Sequence, residues 1–482
     1  MEKLKKKKSA NPYFLVILSF IVVILIGSFL LVMPWANNYS QWLWNYTSAD
    51  KSISINYLDC LVTAVSATCV TGIFTYQQNV ASVLSFGGQV VLISLIQIGG
   101  LGFITILTFV ITLFNSKLEF KNRLFLAQMV NSTNFADVVK FVRKLIVCTF
   151  IIELTGAILY LPVFINLYPT QIGTAIWNSV FHSISAFNNA GFDIFNGNSL
   201  IGGLVGFNGS TLTGGWYIYF CIVTMILIVF GGISFVVLIE VFTGKKKPSQ
   251  WGTFTKIVLI TTSTLIVTGA LLFFLTDGLK AENSMTILDV IFQSVTTRTA
   301  GFATYLQDNI SPAGKVISCL LMFIGGSPIS TAGGIKTTTI FMIVTAILSY
   351  FSNGKVKAFN RNFSSSNIVK AMALMTLALF VLILGYISIS CFGLKEGIEY
   401  DSLGLSTPSS LSYAYLCFSC FGTVGLGIGV ESSLSIGSKI VVCLLMFLGR
   451  IGPITFFQIV KENMQKESTG AYKCIEENIL LG

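Results

Sequence analysis

Long apolar segments alternate along this chain with short amphipathic ones, and the alternation repeats four times. A helix of about 20 apolar residues crosses a bilayer core of roughly 30 Å, whereas one of about 12 residues cannot. The pattern therefore predicts spanning helices and shorter helices that enter the membrane and return. The long segments are residues 13–33, 90–113, 145–164, 217–242, 257–275, 316–348, 371–389 and 439–460, and the short ones are 57–68, 175–187, 286–297 and 411–421.

Each short segment runs into a small-residue turn built on a glycine, and a long segment follows. The four glycines are Gly72, Gly191, Gly301 and Gly425, and their intervals of roughly 110–120 residues indicate internal repeats. Non-helical backbone is tolerated at membrane depth only where it is buried in protein or lines water. We therefore predict an all-α membrane protein of eight transmembrane helices plus four re-entrant pore helices. Its four span–pore loop–span repeats would surround one central pore with pseudo-fourfold symmetry.

Composition and charge indicate the setting and the orientation. The 482 residues are 54% hydrophobic and 10% charged, with a mean hydropathy of +0.80, which excludes a soluble protein. Lysine and arginine concentrate at the N-terminus, in residues 115–144, 245–256 and 355–370, and after residue 460. The positive-inside rule places these segments and both termini in the cytoplasm. The net charge of +10 thus orients the chain, and we expect no nucleic-acid partner.

These boundaries divide the chain into repeats and cytoplasmic connections. The parts are a cytoplasmic N-terminus (1–12), repeat 1 (13–114), a linker (115–144), repeat 2 (145–243), a linker (244–256), repeat 3 with an intramembrane gate loop (257–350), a linker (351–370), repeat 4 (371–460) and a cytoplasmic tail (461–482).

Residues for enzyme chemistry are missing from the sequence. The only histidine is His182, the ten cysteines are scattered through apolar segments, and no nucleophile–base set or metal cluster is recognisable. We expect a protein that is not an enzyme and carries no organic cofactor.

The four turns are the candidate ion filter. The fourth runs Thr423-Val424-Gly425-Leu426-Gly427 and differs by one residue from the Thr-Val-Gly-Tyr-Gly filter of potassium channels. Backbone carbonyls aligned toward an axis replace the water shell of a potassium ion, and glycine reaches the required backbone angles without a Cβ penalty. We therefore predict K+ binding at Val70, Thr71, Gly72, Asn189, Ala190, Gly191, Thr299, Ala300, Gly301, Thr423, Val424 and Gly425.

Charges near the turns leave alternatives open. The C-terminal dipole ends of the short helices would face the pore and favour a cation. Asp59 and Asp289 lie in these helices, where each either aids the access of cations or caps and tethers its helix. Arg298, beside the third turn, is expected to be buried behind the loop and to bind backbone.

The third closing segment is interrupted at residues 324–336 by glycines, a proline and hydroxyl side chains. Such residues break a helix, and the freed polar groups need a cavity or a protein partner. The segment is either a gate loop below the filter or a kinked helix packed through its small residues. The candidate gate residues are Gly325, Gly326, Ser327, Pro328, Thr331, Gly333, Gly334 and Lys336, together with Arg450.

Arg450 lies inside the fourth closing segment. An arginine in the membrane costs about 2.5–3.5 kcal/mol on insertion scales and usually faces a polar interior. It is either an electrostatic latch in the pore, hydrogen-bonded to carbonyls of the interrupted loop, or one half of an ion pair with Glu153 or Glu240. Lys336 lies near enough to the cytoplasm to reach water with its amine and is the weaker candidate.

These motifs resemble those of the Trk/Ktr/HKT superfamily of potassium transporters over essentially the whole chain. The resemblance lies in the four turns, in residues 325–338 and in residues 449–453. Because no extra hairpin precedes the first repeat and the tail is short, the chain looks more like the KtrB type of membrane subunit than the TrkH type.

The resemblance implies potassium uptake across a bacterial cell (plasma) membrane by a homodimer with one pore in each protomer. It also implies a cytosolic regulatory ring of nucleotide-binding, KtrA-like subunits, K+ as the transported ion and Na+ as a candidate stimulating ion. Two other classes stay open. A sodium- or proton-coupled secondary cation transporter fits the interrupted segment but not the four outward loops. A non-transporting receptor or scaffold leaves Arg450 and the glycine turns without a role.

Overall fold

A computed structural model describes residues 12–38, 56–76, 79–102, 135–195, 215–243, 247–280, 284–351, 357–359, 361–394 and 409–452. Over these residues the fold is helical, apart from an antiparallel pair of short strands, Lys357–Ala358 and Arg361–Asn362. The predicted N-terminus up to residue 11, most of the linker 115–144 and the tail 461–482 lie outside the described residues. So do the predicted ends of two long segments, residues 103–113 and 453–460.

The helices fall into three kinds, which we name by their place in each sequence repeat. The opening helices are Pro12–Val32, Phe135–Leu167, Thr253–Phe273 and Ser365–Phe392. The short helices are Tyr57–Cys69, Ile172–Asn188, Ile287–Thr296 and Ser410–Gly422. The closing helices are Phe86–Leu101, Gly215–Gly232 followed by Phe235–Thr243, Pro312–Phe323 followed by Thr337–Phe351, and Ile436–Ile451. Smaller elements are the helix Val80–Val83, the 3-10 turns Pro34–Ala36, Pro248–Gln250, Gln307–Asn309 and Glu431–Ser433, and the π-turn Phe274–Gly278.

Four of the described helices are long and apolar enough to cross a membrane: Lys140–Leu167, Gly215–Gly232, Thr253–Gly278 and Ser365–Phe392. Two of the predicted closing segments are not continuous helices, and for segment 316–348 the interruption was predicted. Segment 217–242 breaks after the glycine pair Gly231 and Gly232, and segment 316–348 opens into a loop between Phe323 and Thr337. At both breaks the freed backbone groups bind each other, since the Ser327 amide donates to the Gly232 carbonyl at 3.0 Å.

The closing helices cross the short helices at glycines. A Cβ added at Gly99, Gly231 or Gly449 would collide with the last-turn carbonyl of the neighbouring short helix, respectively that of Thr68, Phe187 and Phe421. Small residues let helix backbones approach closely in a membrane, where dispersion replaces the hydrophobic effect as the packing force. In the interrupted segment the corresponding Gly325 contacts the Gly333 carbonyl of its own loop instead.

Three of the four short helices begin at polar caps. Thr286 and Asp289 form a reciprocal capping box, as do Ser409 and Ser412, and the Asn56 side chain accepts from the Leu58 amide. These side chains satisfy amides that a helix start leaves unpaired. These three helices therefore have a fixed beginning, whereas Ile172–Asn188 starts after Gln171 without a side-chain cap.

Candidate functional site

Three of the short helices end in a residue with left-handed backbone, namely Val70 (φ 57°), Asn189 (φ 58°) and Thr423 (φ 51°). The next amide then bonds back to the helix over five residues, as from Thr71 to the Ser66 carbonyl at 2.8 Å. Such a C-terminal motif usually uses glycine at the left-handed position. Here the glycine comes two residues later, so the chain turns twice in succession and its carbonyls change direction.

The third turn is built differently. Its Ala300 amide bonds to the Thr296 carbonyl over only four residues, at 2.9 Å. The hydroxyl of Thr296 donates to the Phe302 carbonyl, six residues on, whereas in the second turn Ser185 donates to Phe192, seven residues on. The third turn therefore connects its helix to the residue after the glycine with one residue fewer than the second turn does. Thr299, within this shorter turn, has φ 131°.

The structure brings the four turns together in a closed ring. A Cβ added at each turn glycine would lie within 3.0 Å of the carbonyl oxygen that precedes the glycine of the next turn. The pairs are Gly72 with Ala190, Gly191 with Ala300, Gly301 with Val424, and Gly425 with Thr71. All four glycines have φ between 68° and 100°. Only glycine has both the space and the backbone freedom for these contacts.

All twelve predicted filter residues belong to this ring, which is built of backbone and uncharged side chains. The eight that are not glycine are at most 2% exposed. Around the ring the turns meet through their backbone, with the carbonyl oxygens of Thr71, Ala190, Ala300 and Val424 each against a glycine of a neighbouring turn. The ring is therefore able, chemically, to offer a cage of oxygens to a desolvated monovalent cation.

Asp59 and Asp289 tether and cap their helices. Asp59 is 6% exposed, accepts from the Thr75 hydroxyl at 2.8 Å and forms an ion pair with Lys439 of the fourth closing helix. Asp289 binds the Thr286 amide and hydroxyl. The geometry thus favours the structural alternative for both carboxylates. Sequence reasoning missed the role of Lys439, the first residue of the predicted segment 439–460. A lysine at the edge of an apolar segment gave no signal of its distant partner.

The interrupted segment lies against the ring and joins three repeats. Its Thr331 amide bonds to the Gly231 carbonyl at 3.2 Å, and its Gly334 amide bonds to the Gly449 carbonyl at 3.3 Å. A Cβ at Gly333 would collide with the Thr423 side chain in the fourth turn. The segment is thus a loop rather than a kinked helix, and it packs directly under the turns.

The other predicted gate residues lie within or beside this loop. Gly325 and Gly326 line its start, Ser327 is fully buried, and Pro328 follows it. Lys336 donates to the Ala332 carbonyl at 2.7 Å and so binds the loop itself, at partial burial. This differs from the expected exposure of Lys336 to cytoplasmic water.

Arg450 binds carbonyls on two sides. Its guanidinium donates to Thr331 of the loop and to Gly99 and Gly100 at the end of the first closing helix. Among the described residues no carboxylate pairs with it. Glu153 accepts instead from Gln97 and Asn188, and Glu240 from Gly252 and Thr255. The carbonyls of Gly99 and Gly100 were not foreseen. A signal was present in the sequence: three repeats have a glycine pair at equivalent positions, 99–100, 231–232 and 325–326, and the fourth has Gly449-Arg450 there. Arg450 thus aligns with the second glycine of each pair.

Arg298 is 7% exposed, as expected of a residue behind the third turn. Its side chain, however, donates no hydrogen bond to a described residue, and Nε is an unpaired buried donor. The expected bond to backbone is therefore not formed within the described part of the chain.

Comparisons with known proteins show the family of this chain. The family profile described as "TrkH: Cation transport protein" matches residues 3–468. The chain is 32% identical to the potassium/sodium uptake protein NtpJ of Enterococcus hirae, over 100% of this chain and 99% of that protein. It is 32% identical to the Ktr system potassium uptake protein B of Bacillus subtilis, over 94% of each chain. Among solved structures, the potassium transporter TrkH from Vibrio parahaemolyticus superposes with a TM-score of 0.66 at 15% identity, covering 95% of this chain and 87% of that one. The predicted family resemblance is thereby confirmed.

Proposed function

The chain belongs to the TrkH family of cation transport proteins, and from this premise we propose that it takes up potassium ions through the ring of four turns. The family and the long apolar helices make it a multi-pass membrane protein. Two relatives with potassium uptake in their names match nearly the whole chain. The observation that carries the proposal is the closed order of glycine–carbonyl contacts around the ring.

Recognition in this proposal depends on backbone oxygens. A potassium ion loses its water only if oxygens of similar field strength replace that shell. The carbonyls of Thr71, Ala190, Ala300 and Val424 each lie against a glycine of another turn, and in this proposal their oxygens surround a common centre. The short helices end at these turns and direct the negative ends of their dipoles toward the same centre. Both effects favour a monovalent cation.

The finer architecture belongs to the same proposal. Eight spans and four re-entrant helices would surround the pore with pseudo-fourfold symmetry, in the repeats and linkers given above. Four helices of sufficient length and the closed ring of turns support it. Both termini would lie in the cytoplasm because the positive segments do.

The loop of residues 324–336 and Arg450 would form the gate. Its support is the hydrogen bonding of Arg450 to Thr331 on one side and to Gly99 and Gly100 on the other. A positive charge held below the ring opposes the passage of a cation. Opening would require Arg450 to exchange these carbonyls for water.

Regulation would come from outside this chain. Relatives named as Ktr system potassium uptake protein B support a partner of the KtrA kind. In this proposal the partner is a cytosolic ring that binds nucleotides, and the membrane chain is a homodimer. The relative named as a potassium/sodium uptake protein supports a role for sodium, either as a stimulating ion or as a second transported ion.

A coupled secondary transporter is the second candidate, favoured by the interrupted segment and by the buried carboxylate of Glu153, which is 4% exposed. Coupling requires that a sodium or proton gradient alone drives potassium uptake. Channel-like uptake follows the membrane potential, at ~2.3 kcal/mol per charge for each 100 mV.

The decisive experiment is radioactive rubidium uptake into liposomes that contain only this chain, with the membrane potential clamped. We expect uptake to follow the potential, to be competed by potassium, and to resist sodium and ammonium. Gly425→Ser should relax the preference for potassium over sodium, because its side chain would meet the Thr71 carbonyl. Gly102→Ser is the matched control, since Gly102 has φ 75° and no atom of the described residues lies within 4 Å of a Cβ added there. Unchanged selectivity in Gly425→Ser would refute the filter assignment.

A further inference from the structure

A small cavity lies behind the ring, between the second and third turns. It is lined by Asn189 and Thr299 of those turns, by apolar Ile228 and Val295, by the backbone of Gly232, and by Arg298. The volume of the cavity is about 10 Å³, which is near the minimum for one water molecule. The cavity therefore has room for one small particle.

Arg298 is the group that this cavity leaves unsatisfied. A guanidinium carries five N–H donors and stays charged in proteins. Burying it without a partner is costly, and buried charges are normally paired. Arg298 is 7% exposed, yet no carboxylate or carbonyl of the described residues accepts a hydrogen bond from its side chain.

The other polar group in the cavity is already satisfied. With its amide oriented to suit its neighbours, Asn189 donates to the Ala186 and Ile228 carbonyls, both at 3.1 Å. Its oxygen accepts from the Thr299 hydroxyl at 3.1 Å and from the Gly232 amide at 3.3 Å. The lining thus presents the free donors and the positive charge of Arg298, and among its polar side chains the Thr299 hydroxyl oxygen keeps free lone pairs. None of the described side chains that line the cavity is negatively charged. A particle that accepts hydrogen bonds and carries a negative charge therefore compensates Arg298 better than a neutral water molecule does.

We infer that this cavity is a binding site for one halide-sized anion, with Arg298 as its ligand. The anion supplies the counter-charge that the protein does not. Arg298 directly precedes Thr299 and Ala300 of the third turn. The charge of Arg298, positive when the site is empty and neutralised when an anion is bound, therefore acts on any cation in the ring. The inference rests on the proposed function in this respect: an occupied anion site favours potassium in the filter, and an empty one opposes it.

The first test uses bromide, because its anomalous scattering distinguishes it from water. Crystals of the full chain grown in bromide should show an anomalous peak in the cavity beside Arg298. Arg298→Gln should lack the peak, and Arg298→Lys, which keeps the charge, should retain a weaker one. A cavity without an anomalous peak in the wild-type chain, whether it holds water or nothing, overturns the inference. This test does not depend on transport.

The second test measures how rubidium uptake depends on rubidium concentration in liposomes, with either chloride or gluconate as the anion. The half-saturating rubidium concentration of the wild type should be several-fold lower in chloride, because gluconate is too large for the cavity. In Arg298→Gln it should be the same in both. Equal values for the wild type overturn the coupling of the anion to the filter. If no variant takes up rubidium, the proposed function fails, and the bromide peak still decides the anion site.

Discussion

In the ring, all four repeats contribute the same part, a turn whose glycine lies against the carbonyl of the next turn. Beneath the ring, the repeats contribute different parts. The third supplies the loop of residues 324–336, and the fourth supplies Arg450 where the other three have a glycine. The ring is therefore made of four equivalent turns, whereas the layer below it is made of two elements that occur once each.

The difference separates two tasks. An ion held by backbone oxygens from several sides needs similar contributions from each side, so the ring tolerates variation in side chains but keeps its glycines. A gate needs an element that can adopt two arrangements. The loop of residues 324–336 is such an element in this proposal, because Arg450 holds it through few contacts. Variants that affect only one of the two layers test this separation.

The largest effect on stability is expected from a change at the contact between the fourth and the first repeat. These two repeats lie at opposite ends of the chain, so no linker joins them directly. Lys439→Met leaves Asp59 as an unpaired charge at 6% exposure. Removing one partner of a buried pair typically costs about 3–5 kcal/mol. We expect a clear fall in the thermal unfolding temperature in detergent and a loss of rubidium uptake.

The matched control is the double variant Asp59→Asn/Lys439→Met, which removes both charges. It should recover most of the lost stability, because no uncompensated charge remains. If the double variant is as unstable as Lys439→Met, the pair does not hold the ring closed.

The next effect concerns the crossing of helices just below the ring. Gly231→Ala places a Cβ against the Phe187 carbonyl, which is backbone and cannot move aside freely. Overpacking of this kind costs roughly 1–3 kcal/mol. Gly173→Ala is the control, because Gly173 is also helical but a Cβ added there meets no atom of the described part of the chain within 4 Å, so the change should be neutral. Equal thermal stability of the two variants would contradict the close crossing.

The sequence was sufficient to predict the parts that repeat. Hydrophobic length and glycine spacing located the four short helices to within a few residues, and the Gly-Ser-Pro run located the loop. It was not sufficient for contacts between distant segments. The bonds of Arg450 to Gly99 and the pairing of Lys439 with Asp59 depend on how the helices are arranged in space. The backbone conformation of Thr299 could not be predicted either. The third turn is one residue shorter than the second, which becomes clear only when the hydroxyl bond of Thr296 is compared with that of Ser185.

The layer below the ring is tested by Arg450→Ala. If Arg450 holds the gate shut, its removal should raise rubidium flux without any partner subunit by about tenfold, equivalent to roughly 1.4 kcal/mol. Selectivity for potassium over sodium should stay unchanged, since the ring is untouched. Arg450→Lys keeps the charge but not the planar, forked donor geometry that binds two sides at once, and should show an intermediate flux. Lost expression or a lowered flux in Arg450→Ala would favour a structural role.

The smallest effect tests whether the ring itself is uniform. Thr299 has φ 131°, a region that β-branched residues rarely adopt, whereas Thr423 at the corresponding place has φ 51°. Relieving such strain is worth about 1 kcal/mol or more, part of which is offset here by the lost hydroxyl bond to Asn189. Thr299→Gly should therefore stabilise the chain slightly more than Thr423→Gly in thermal unfolding, while its potassium selectivity falls as the turn loosens. A larger gain for Thr423→Gly would mean that the third turn stores no extra strain, and that its different hydrogen bonding is only a relaxed variant of the other three.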